Sequence, residues 1–236
     1  MHPHLTIVRR LTFLLCALAF LIFPISSAQA TSLLTIQSAN YSINAYYQDL
    51  FTLTGMEWRK PEFLYLDVDE EYDGECGQVT NTDQIDGLAF YCPADEVIVL
   101  EADWMAQLEL GVDEFMPMFI LAHEYAHHAQ HLAGIDPEYV PTDGDANEVY
   151  SIENELMADC LAGSWAAHLK AVDALDRSDM AAVMLMMNEF GDKITQPESP
   201  GAHGSALERA KAALTGYESG ALGCMTLHPL SRGLDN

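Results

Sequence analysis

Basic residues are scarce in this chain. Its 236 residues include 10 Lys and Arg against 36 Asp and Glu, which gives a formal net charge of −26 at pH 7. A surface of this sign repels the phosphates of nucleic acids and of anionic lipids, so we expect no nucleic-acid partner. Two interpretations of the acidity stay open, a preference for basic peptides and adaptation to a saline habitat.

Cysteines are few as well, and none of them belongs to a C-x-x-C pair. The missing pair argues against a structural zinc site of the finger type. Cys16 follows Leu15, whereas a lipoprotein site needs a small residue before the cysteine, so we expect no lipidation. An even number of remaining cysteines in an exported chain indicates two disulfides, for which three pairings exist. These cysteines are Cys76, Cys92, Cys160 and Cys224.

The apolar run near the N-terminus, at residues 11–25, falls short of the roughly 20 residues that a membrane-spanning helix needs. It follows Arg9 and Arg10 and precedes the small-x-small sequence Ala28-Gln29-Ala30. This order predicts an export signal at residues 1–30, cleaved after Ala30, and a single domain at residues 31–236. The expected location is the periplasm or the exterior. The alternative is an uncleaved anchor, and only then would the chain contact a membrane.

The sequence H-E-x-x-H, at His123, Glu124 and His127, is the strongest chemical pattern in the chain. On a helix, residues four apart share a face, so both imidazoles can reach one ion. Two histidines with an open position suit Zn²⁺, which lowers the pKa of a bound water. Glu124, about 100° further round the helix, is placed to take a proton from that water and to pass it to a leaving amine. The pattern predicts metal-assisted amide hydrolysis.

A third protein ligand is needed, and the extended pattern H-E-x-x-H-x-x-G-x-x-H does not supply it. Gln130 stands at the glycine position and Ala133 at the last histidine position. His131 lies about 12 Å along the helix axis from His123, so a straight helix cannot bring it to the same ion. His128 faces away from the pair. We expect His128 and His131 to be surface residues or outer partners of the site.

A later helix offers Glu155 as the third ligand. Asp159 lies four residues after Glu155 and shares its face, so it can accept the free N–H of a zinc-bound histidine and select its tautomer. Most neighbours of this pair are apolar, which predicts an interior helix whose acids require partners. These apolar neighbours are Ile152, Leu156, Ala158, Ala162, Trp165 and Ala166.

Four separated blocks resemble the neutral zinc metallopeptidases of bacteria. They are F-Y-C-P-A-D at residues 90–95, A-H-E-Y-A-H-H-A-Q at 122–130, E-L-M-A-D-C-L-A-G-S-W at 155–165, and H-G-S-A-L-E-R at 203–209 followed by Gly216 and Tyr217. Their order and spacing cover much of the chain from about residue 50 to 227 and are far more specific than H-E-x-x-H alone. One departure is Ala126, where the family usually has glycine, and alanine suits a helix at least as well.

The resemblance implies a zinc-dependent peptidase with one Zn²⁺ per chain. It implies His123, His127 and Glu155 as ligands and Glu124 as the base, in agreement with the assignment made from spacing. It also favours the disulfides Cys76–Cys92 and Cys160–Cys224 over the other two pairings.

A second donor usually helps a metal to stabilise the oxyanion that forms when an amide is attacked. His203, Tyr217 and Arg209 are candidates, since all three belong to the last block, which includes Gly216 and Tyr217. We assign His203 a catalytic role because it precedes a helix, a position from which a side chain can enter a cleft. A structural role for His203 is the alternative.

Local patterns predict helices at residues 41–54, 113–133, 147–170, 179–190 and 205–216, the last ended by Gly216. They predict a strand at 62–66, an acidic loop at 70–86 and a hairpin of strands 88–92 and 97–100. One strand of this hairpin is a candidate edge to which a peptide substrate could add.

The expected fold is α+β, predominantly helical and zincin-like, with the H-E-x-x-H helix packed on the Glu155 helix beside a small sheet. The expected function is zinc-dependent hydrolysis of peptide or protein substrates outside the cytoplasm. Two alternatives are a catalytically silent exported binding protein that keeps the zinc, and a zinc amidase acting on the cell wall.

Overall fold

Six helices and five strands make up the part of the chain that the computed structural model describes, namely residues 27–80, 89–111, 115–135, 145–175, 177–190 and 203–225. The mostly helical α+β fold predicted from the sequence is confirmed. The elements in chain order are α1 (Ser27–Thr54), β1 (Glu62–Leu66), β2 (Glu71–Gly74), β3 (Gly77–Thr80), β4 (Ala89–Cys92), β5 (Val97–Glu101), α2 (Ala102–Gly111), α3 (Phe115–Leu132), α4 (Asp145–Ala171), α5 (Arg177–Phe190) and α6 (Ala206–Cys224).

Helix α1 covers the core with one apolar stripe. The stripe has the three-to-four-residue spacing of a helix that is buried on one side, and it consists of Ile36, Ala39, Ile43, Tyr47 and Phe51. The helix ends where Gly55 adopts a φ of 75°, a left-handed conformation that glycine adopts without strain. The amide of Met56 then donates back to the Phe51 carbonyl at 3.0 Å.

Helices α3 and α4 form the centre of the fold. Phe115 near the start of α3 stacks on Trp165 of α4, with ring centroids 5.7 Å apart. Tyr125 of α3 stacks on Tyr47 of α1, with centroids 6.2 Å apart. The three helices therefore share one apolar core, which holds the H-E-x-x-H segment in a fixed position.

A three-stranded sheet in the order β1-β5-β4 lies beside these helices. The central strand β5 is parallel to β1 and antiparallel to β4. All five residues of β5 are buried, as expected for a strand covered on both faces. Strand β4 forms an edge of this sheet, and the predicted hairpin of β4 and β5 is confirmed.

The acidic segment that follows β1 contains a second antiparallel pair, β2 with β3, where we predicted a loop. That prediction is therefore wrong for residues 71–80, while residues 81–88 lie outside the described residues. The reason is tertiary: Tyr72 buries its ring against Phe90, and its hydroxyl donates to Asp95. Burial of one aromatic side chain outweighs the turn-like composition around it.

Helix α6 continues past Gly216, where we predicted its end, and reaches Cys224 after a kink at Gly220. Gly216 instead allows α6 to cross α4 closely. A Cβ at Gly216 would lie 1.8 Å from the Cys160 carbonyl oxygen, and one at Gly163 of α4 would lie 2.0 Å from the Ala213 carbonyl oxygen. Both glycines therefore permit two helix backbones to touch, which no larger residue would allow.

Most of the predicted export signal, residues 1–26, lies outside the described residues, and Ala28 to Ala30 lie in the first turn of α1. Among the helices of the described residues, none combines the length and apolar character required to cross a membrane.

Candidate metal centre

Three side chains from α3 and α4 converge on one point. The Nε2 atoms of His123 and His127 lie 3.0 Å apart. The carboxylate of Glu155 approaches both rings, with Oε2 at 3.1 Å from the Nε2 of His123 and Oε1 at 3.3 Å from the Nε2 of His127. A set of ligand atoms from these three residues lies within 4.8 Å of one another. Helix α3 supplies the two imidazoles because its period places residues four apart on one face.

The spacing of these donors fits a zinc ion. Zinc binds imidazole nitrogen and carboxylate oxygen at about 2.0–2.2 Å in tetrahedral geometry, so two ligand atoms on one ion lie about 3.4 Å apart. The closest donor separations here are 3.0, 3.1 and 3.3 Å. Two imidazoles and a carboxylate leave one tetrahedral position for water or substrate, which is the arrangement of catalytic zinc sites.

The other nitrogen of His123 faces Asp159, with Nδ1 and Oδ1 2.9 Å apart. Asp159 is fully buried and is held from the opposite side by Arg209 of α6. The guanidinium donates from Nε to Oδ2 at 2.8 Å and from Nη2 to Oδ1 at 2.9 Å. The ion pair of Asp159 and Arg209 therefore orients His123 from behind. We call such residues, which contact a candidate ligand on the side away from the donor cluster, the outer layer of the site.

The other nitrogen of His127 faces Gln130, with Nδ1 and Oε1 2.9 Å apart. Gln130 is also buried, and its Nε2 donates to the Asn154 backbone carbonyl at 2.9 Å. Asn154 directly precedes Glu155, so this amide joins the two helices beside the third donor.

These outer contacts determine the tautomer of each histidine. An ionised carboxylate and an amide oxygen can only accept hydrogen bonds, so His123 and His127 donate from Nδ1 and, when neutral, carry a lone pair on Nε2. Two lone pairs and a carboxylate then point at one another across about 3 Å. Such a cluster of electron-rich atoms is stable only around a cation or a proton, and this donor set fits zinc.

Two neighbouring carboxyl groups have opposite pKa shifts. Burial raises the pKa of Glu124, and the imidazoles of His123 and His127, when they are protonated, only partly oppose that shift. Burial would also raise the pKa of Glu155, but attraction to His127 and the contact with His123 outweigh it and hold this pKa well below its ordinary value. Glu155 therefore stays ionised as a ligand should, while Glu124 is the better proton acceptor near neutral pH.

A cavity of about 220 Å³ opens beside the donor cluster and is lined by Glu124. Its walls come from β4, from helices α2 to α5, and from the start of α6 with the residues just before it, and they combine an apolar surface with a few polar groups. The apolar lining residues are Ala89, Trp104, Met116, Phe119, Ile120 and Met187, and the polar ones are His123, Glu124, Asp159, His203 and Arg209.

The three candidate oxyanion donors lie in different surroundings. His203 is solvent-exposed and lines the cavity together with Glu124, so it lies where a catalytic side chain could act. Arg209 also lines the cavity, but its guanidinium is bound to Asp159. The ring of Tyr217 packs under the Lys170 ammonium, which lies 4.5 Å from the ring centroid.

The other two histidines of α3 do not join the donor cluster. His128 is fully buried, contrary to a surface position, and its Nε2 donates to the Arg59 carbonyl at 2.6 Å while Nδ1 meets the Tyr91 hydroxyl at 2.9 Å. It anchors α3 to β4 and to the segment before β1. His131 is partly exposed, 4.0 Å from Glu96.

Sequence reasoning missed the role of Gln130, which it treated only as a mismatch to the extended zinc pattern. Its position three residues after His127 is a usable signal, because residues three apart on a helix are neighbours. The pairing of Arg209 with Asp159 had no local signal, since the two residues lie 50 positions apart in the chain.

The described part of the chain contains two disulfides, in the pairing that the family resemblance favoured. Cys76–Cys92 fastens the β2–β3 hairpin to β4, and Cys160–Cys224 fastens α4 to the end of α6. Cys160 directly follows Asp159, so the second bond secures the helix pair that holds the outer layer of the site.

Comparison with known proteins gives consistent results. A family model described as "Putative neutral zinc metallopeptidase" matches residues 32–226. The Escherichia coli (strain K12) protein named Uncharacterized protein YpfJ is 30% identical in an alignment over 145 residues, and the match covers 56% of this chain and 50% of that protein. Uncharacterized protein Rv2575 of Mycobacterium tuberculosis (strain ATCC 25618 / H37Rv) is 29% identical in an alignment over 153 residues, and the match covers 56% of this chain and 52% of that protein. The chain thus spans about half the length of these curated relatives. No solved structure gives a significant match.

Proposed function

The chain belongs to the neutral zinc metallopeptidase family, and from this premise we propose that it hydrolyses peptide bonds outside the cytoplasm with one zinc ion per chain. The observation that carries the proposal is the convergence of His123, His127 and Glu155 next to a cavity that His123 and Glu124 line. When bound there, zinc supplies a Lewis acid that polarises a carbonyl and makes a neighbouring water more acidic.

The side chains of the protein transfer the proton, orient the ligands and stabilise the oxyanion. Glu124 accepts the proton of the attacking water, for which its raised pKa is suited, and returns it to the departing amine nitrogen. Asp159 holds His123, and Glu155 keeps its charge toward both rings. His203 lines the cavity beside Glu124, from where an N–H donor could face the developing oxyanion.

The shape of the cleft supports a peptide as the substrate. Strand β4 is an edge of the three-stranded sheet, and its residue Ala89 lines the cavity. An extended peptide can pair with such an edge through backbone hydrogen bonds, largely independently of its sequence. A cavity of about 150 Å³ already holds a benzene molecule, so the 220 Å³ here accommodates one large apolar side chain next to the scissile bond.

An exported location is part of the proposal. The predicted signal at residues 1–30 supports it, and so do the two disulfides, because such bonds persist in oxidising compartments such as the periplasm and the exterior.

The test combines metal analysis with a substrate panel of unfolded proteins, peptides and cell-wall fragments. We expect about one zinc per chain in the wild type, none in Glu155→Ala, and cleavage of peptides by the wild type alone. Glu124→Gln should retain the zinc and lose at least about 100-fold in rate.

Other outcomes contradict the proposal in distinct ways. A wild type that binds zinc and cleaves only wall fragments would make the protein a cell-wall amidase. A wild type that binds zinc and cleaves nothing in the panel would indicate a silent binding protein. Full activity in Glu124→Gln would exclude Glu124 as the base.

A further inference from the structure

We propose that Gln130 is a positioning residue of the metal centre: it selects the tautomer of His127 and sets the position of the Glu155 helix relative to that ring. This inference rests on the metal-binding part of the proposed function and is independent of catalysis. It starts from a buried amide whose two ends meet two different helices.

The orientation of this amide follows from its partners. The Asn154 backbone carbonyl can only accept a hydrogen bond, so it must face the NH₂ group of Gln130, at 2.9 Å. The amide oxygen is then turned to the Nδ1 of His127, also at 2.9 Å. An oxygen at this position requires a proton on Nδ1, and the lone pair of His127 consequently lies on Nε2, which faces His123 and Glu155.

The same amide relates two ligands of the centre to each other. His127 lies on α3 and Glu155 lies on α4, and Gln130 connects α3 to the backbone of the residue before Glu155. Its contacts therefore fix the distance between the two helices at the level of the donors. Loss of the contact to Asn154 would free α4 to move relative to the ring, and the distance of 3.3 Å between Nε2 of His127 and Oε1 of Glu155 would no longer be maintained.

The site distinguishes an amide from a carboxylate at this position. Asp159 can orient His123 because Arg209 satisfies both of its oxygens on the other side. The group behind residue 130 is the Asn154 backbone carbonyl and not a guanidinium. An ionised carboxylate at position 130 would therefore place a negative oxygen against the Asn154 oxygen. A neutral side chain with both a donor and an acceptor is required, and glutamine has this combination at the required length.

The principal test compares zinc affinity, measured by competition with a chromophoric chelator, in the wild type and in Gln130→Met. Methionine keeps the length and volume of the side chain and removes both hydrogen bonds. Loss of an outer partner of a metal-bound histidine typically weakens binding 10- to 100-fold, and we expect a loss in this range. Gln130→Glu should not restore the affinity, because its carboxylate lacks the donor for Asn154.

A matched control separates positioning from general stability. Tyr125→Phe also removes one buried hydrogen bond from α3, the one that the hydroxyl donates to Asn40 at 2.6 Å, without touching a ligand. We expect this variant to lower the melting temperature and to keep wild-type zinc affinity, whereas Gln130→Met should lose affinity beyond what its melting temperature explains.

A spectroscopic signature tests the tautomer directly. In ¹H–¹⁵N spectra of the zinc-loaded wild type, the His127 ring should show a slowly exchanging Nδ1–H and a metal-bound Nε2. In Gln130→Met the Nδ1–H should exchange faster with solvent. Equal zinc affinity and equal exchange in the two proteins would overturn the inference while leaving the metal centre intact. A wild type that binds no zinc in the same titration would instead overturn the metal centre itself.

Discussion

Arg209 holds Asp159 through two hydrogen bonds across the interface of α4 and α6, from Nε to Oδ2 at 2.8 Å and from Nη2 to Oδ1 at 2.9 Å. Asp159 in turn contacts the Nδ1 of His123 at 2.9 Å. The position of one ring of the candidate metal centre therefore depends on a residue that comes 86 positions later in the chain. The close crossing of the two helices at Gly163 and Gly216 makes this reach possible.

Removal of the guanidinium should be severely destabilising. Arg209→Met leaves the fully buried Asp159 without its cationic partner, and such an uncompensated charge typically costs about 3–5 kcal/mol of unfolding free energy. Urea denaturation measures this loss. The double variant Arg209→Met/Asp159→Asn should recover part of it, because no buried negative charge then remains. A double variant as unstable as the sum of the two single variants would contradict the pairing.

The stability of the protein should fall in acid through this pair. Burial opposes ionisation of Asp159, but the Arg209 charge and hydrogen bonds, aided by His123, hold its pKa below the ordinary value. The pKa of an aspartate in the unfolded chain is about 3.9. A carboxyl group whose pKa is lower in the folded protein stabilises the fold fully above that pH, and this stabilisation is lost as the pH falls through the pKa of the folded protein. Between about pH 5 and pH 2 the unfolding free energy should therefore decline more steeply in the wild type than in Asp159→Asn. Parallel curves would show that Asp159 does not carry this dependence.

Loss of the second disulfide should weaken both the fold and the metal site. Cys160–Cys224 closes a loop with a sequence separation of 64 residues, and removal of a native disulfide typically costs about 2–5 kcal/mol. We expect Cys160→Ala/Cys224→Ala to unfold at lower urea concentration and to bind zinc more weakly, because Cys160 adjoins Asp159. Cys76→Ala/Cys92→Ala is the matched control, since that bond fastens a hairpin to β4. It should reduce stability with a smaller effect on zinc affinity.

A single methyl group should separate α4 from α6. In Gly216→Ala the added Cβ would lie 1.8 Å from the Cys160 backbone oxygen, and a helix backbone cannot yield locally. Overpacking of this kind costs about 1–3 kcal/mol or more, so the melting temperature should drop and the Arg209–Asp159 contact should loosen. Lys211→Ala, at an exposed position of the same helix, should change the unfolding free energy by less than about 0.5 kcal/mol. Equal stability of the two variants would contradict the close crossing.

The cavity should select the substrate side chain. Ala89→Phe adds a ring to the cavity wall on the edge strand, which leaves less room for a substrate residue. If peptides are cleaved as proposed, kcat/KM should fall about 10- to 200-fold for peptides with a large apolar residue at the scissile bond and much less for those with alanine. A uniform fall for both peptides would place the specificity elsewhere.

Much of the candidate site follows from spacing along helices. The period of an α-helix alone places His123 and His127 on one face, and it does the same for Glu155 and Asp159. The spacing of apolar residues likewise predicted β1 and the hairpin of β4 and β5 from short apolar runs, and most of the helices from apolar residues three to four positions apart. Each of these predictions depends on residues within about one helical turn or one strand of each other, which is the range over which sequence order implies spatial order.

The errors share one cause, which is contact between segments distant in the chain. Gly216 was predicted to end a helix, because glycine is common at helix ends. In the structure its role is to leave space for the Cys160 carbonyl. The β2–β3 segment has the composition of a loop, but Tyr72 gains burial against Phe90. Local preferences amount to fractions of a kcal/mol, and tertiary burial outweighs them.

By itself the sequence determined which residues can bind a metal, their order along two helices, and the chemistry that this set of donors supports. Only the tertiary structure decided how the helices meet. It decided that His123 is the histidine that Asp159 contacts, that Arg209 holds Asp159 from behind, and that Gln130 with the Asn154 carbonyl lies behind His127. The physical reason is that the helical period relates residues up to four positions apart, whereas the approach of α4 to α3 and α6 depends on how all their side chains pack together.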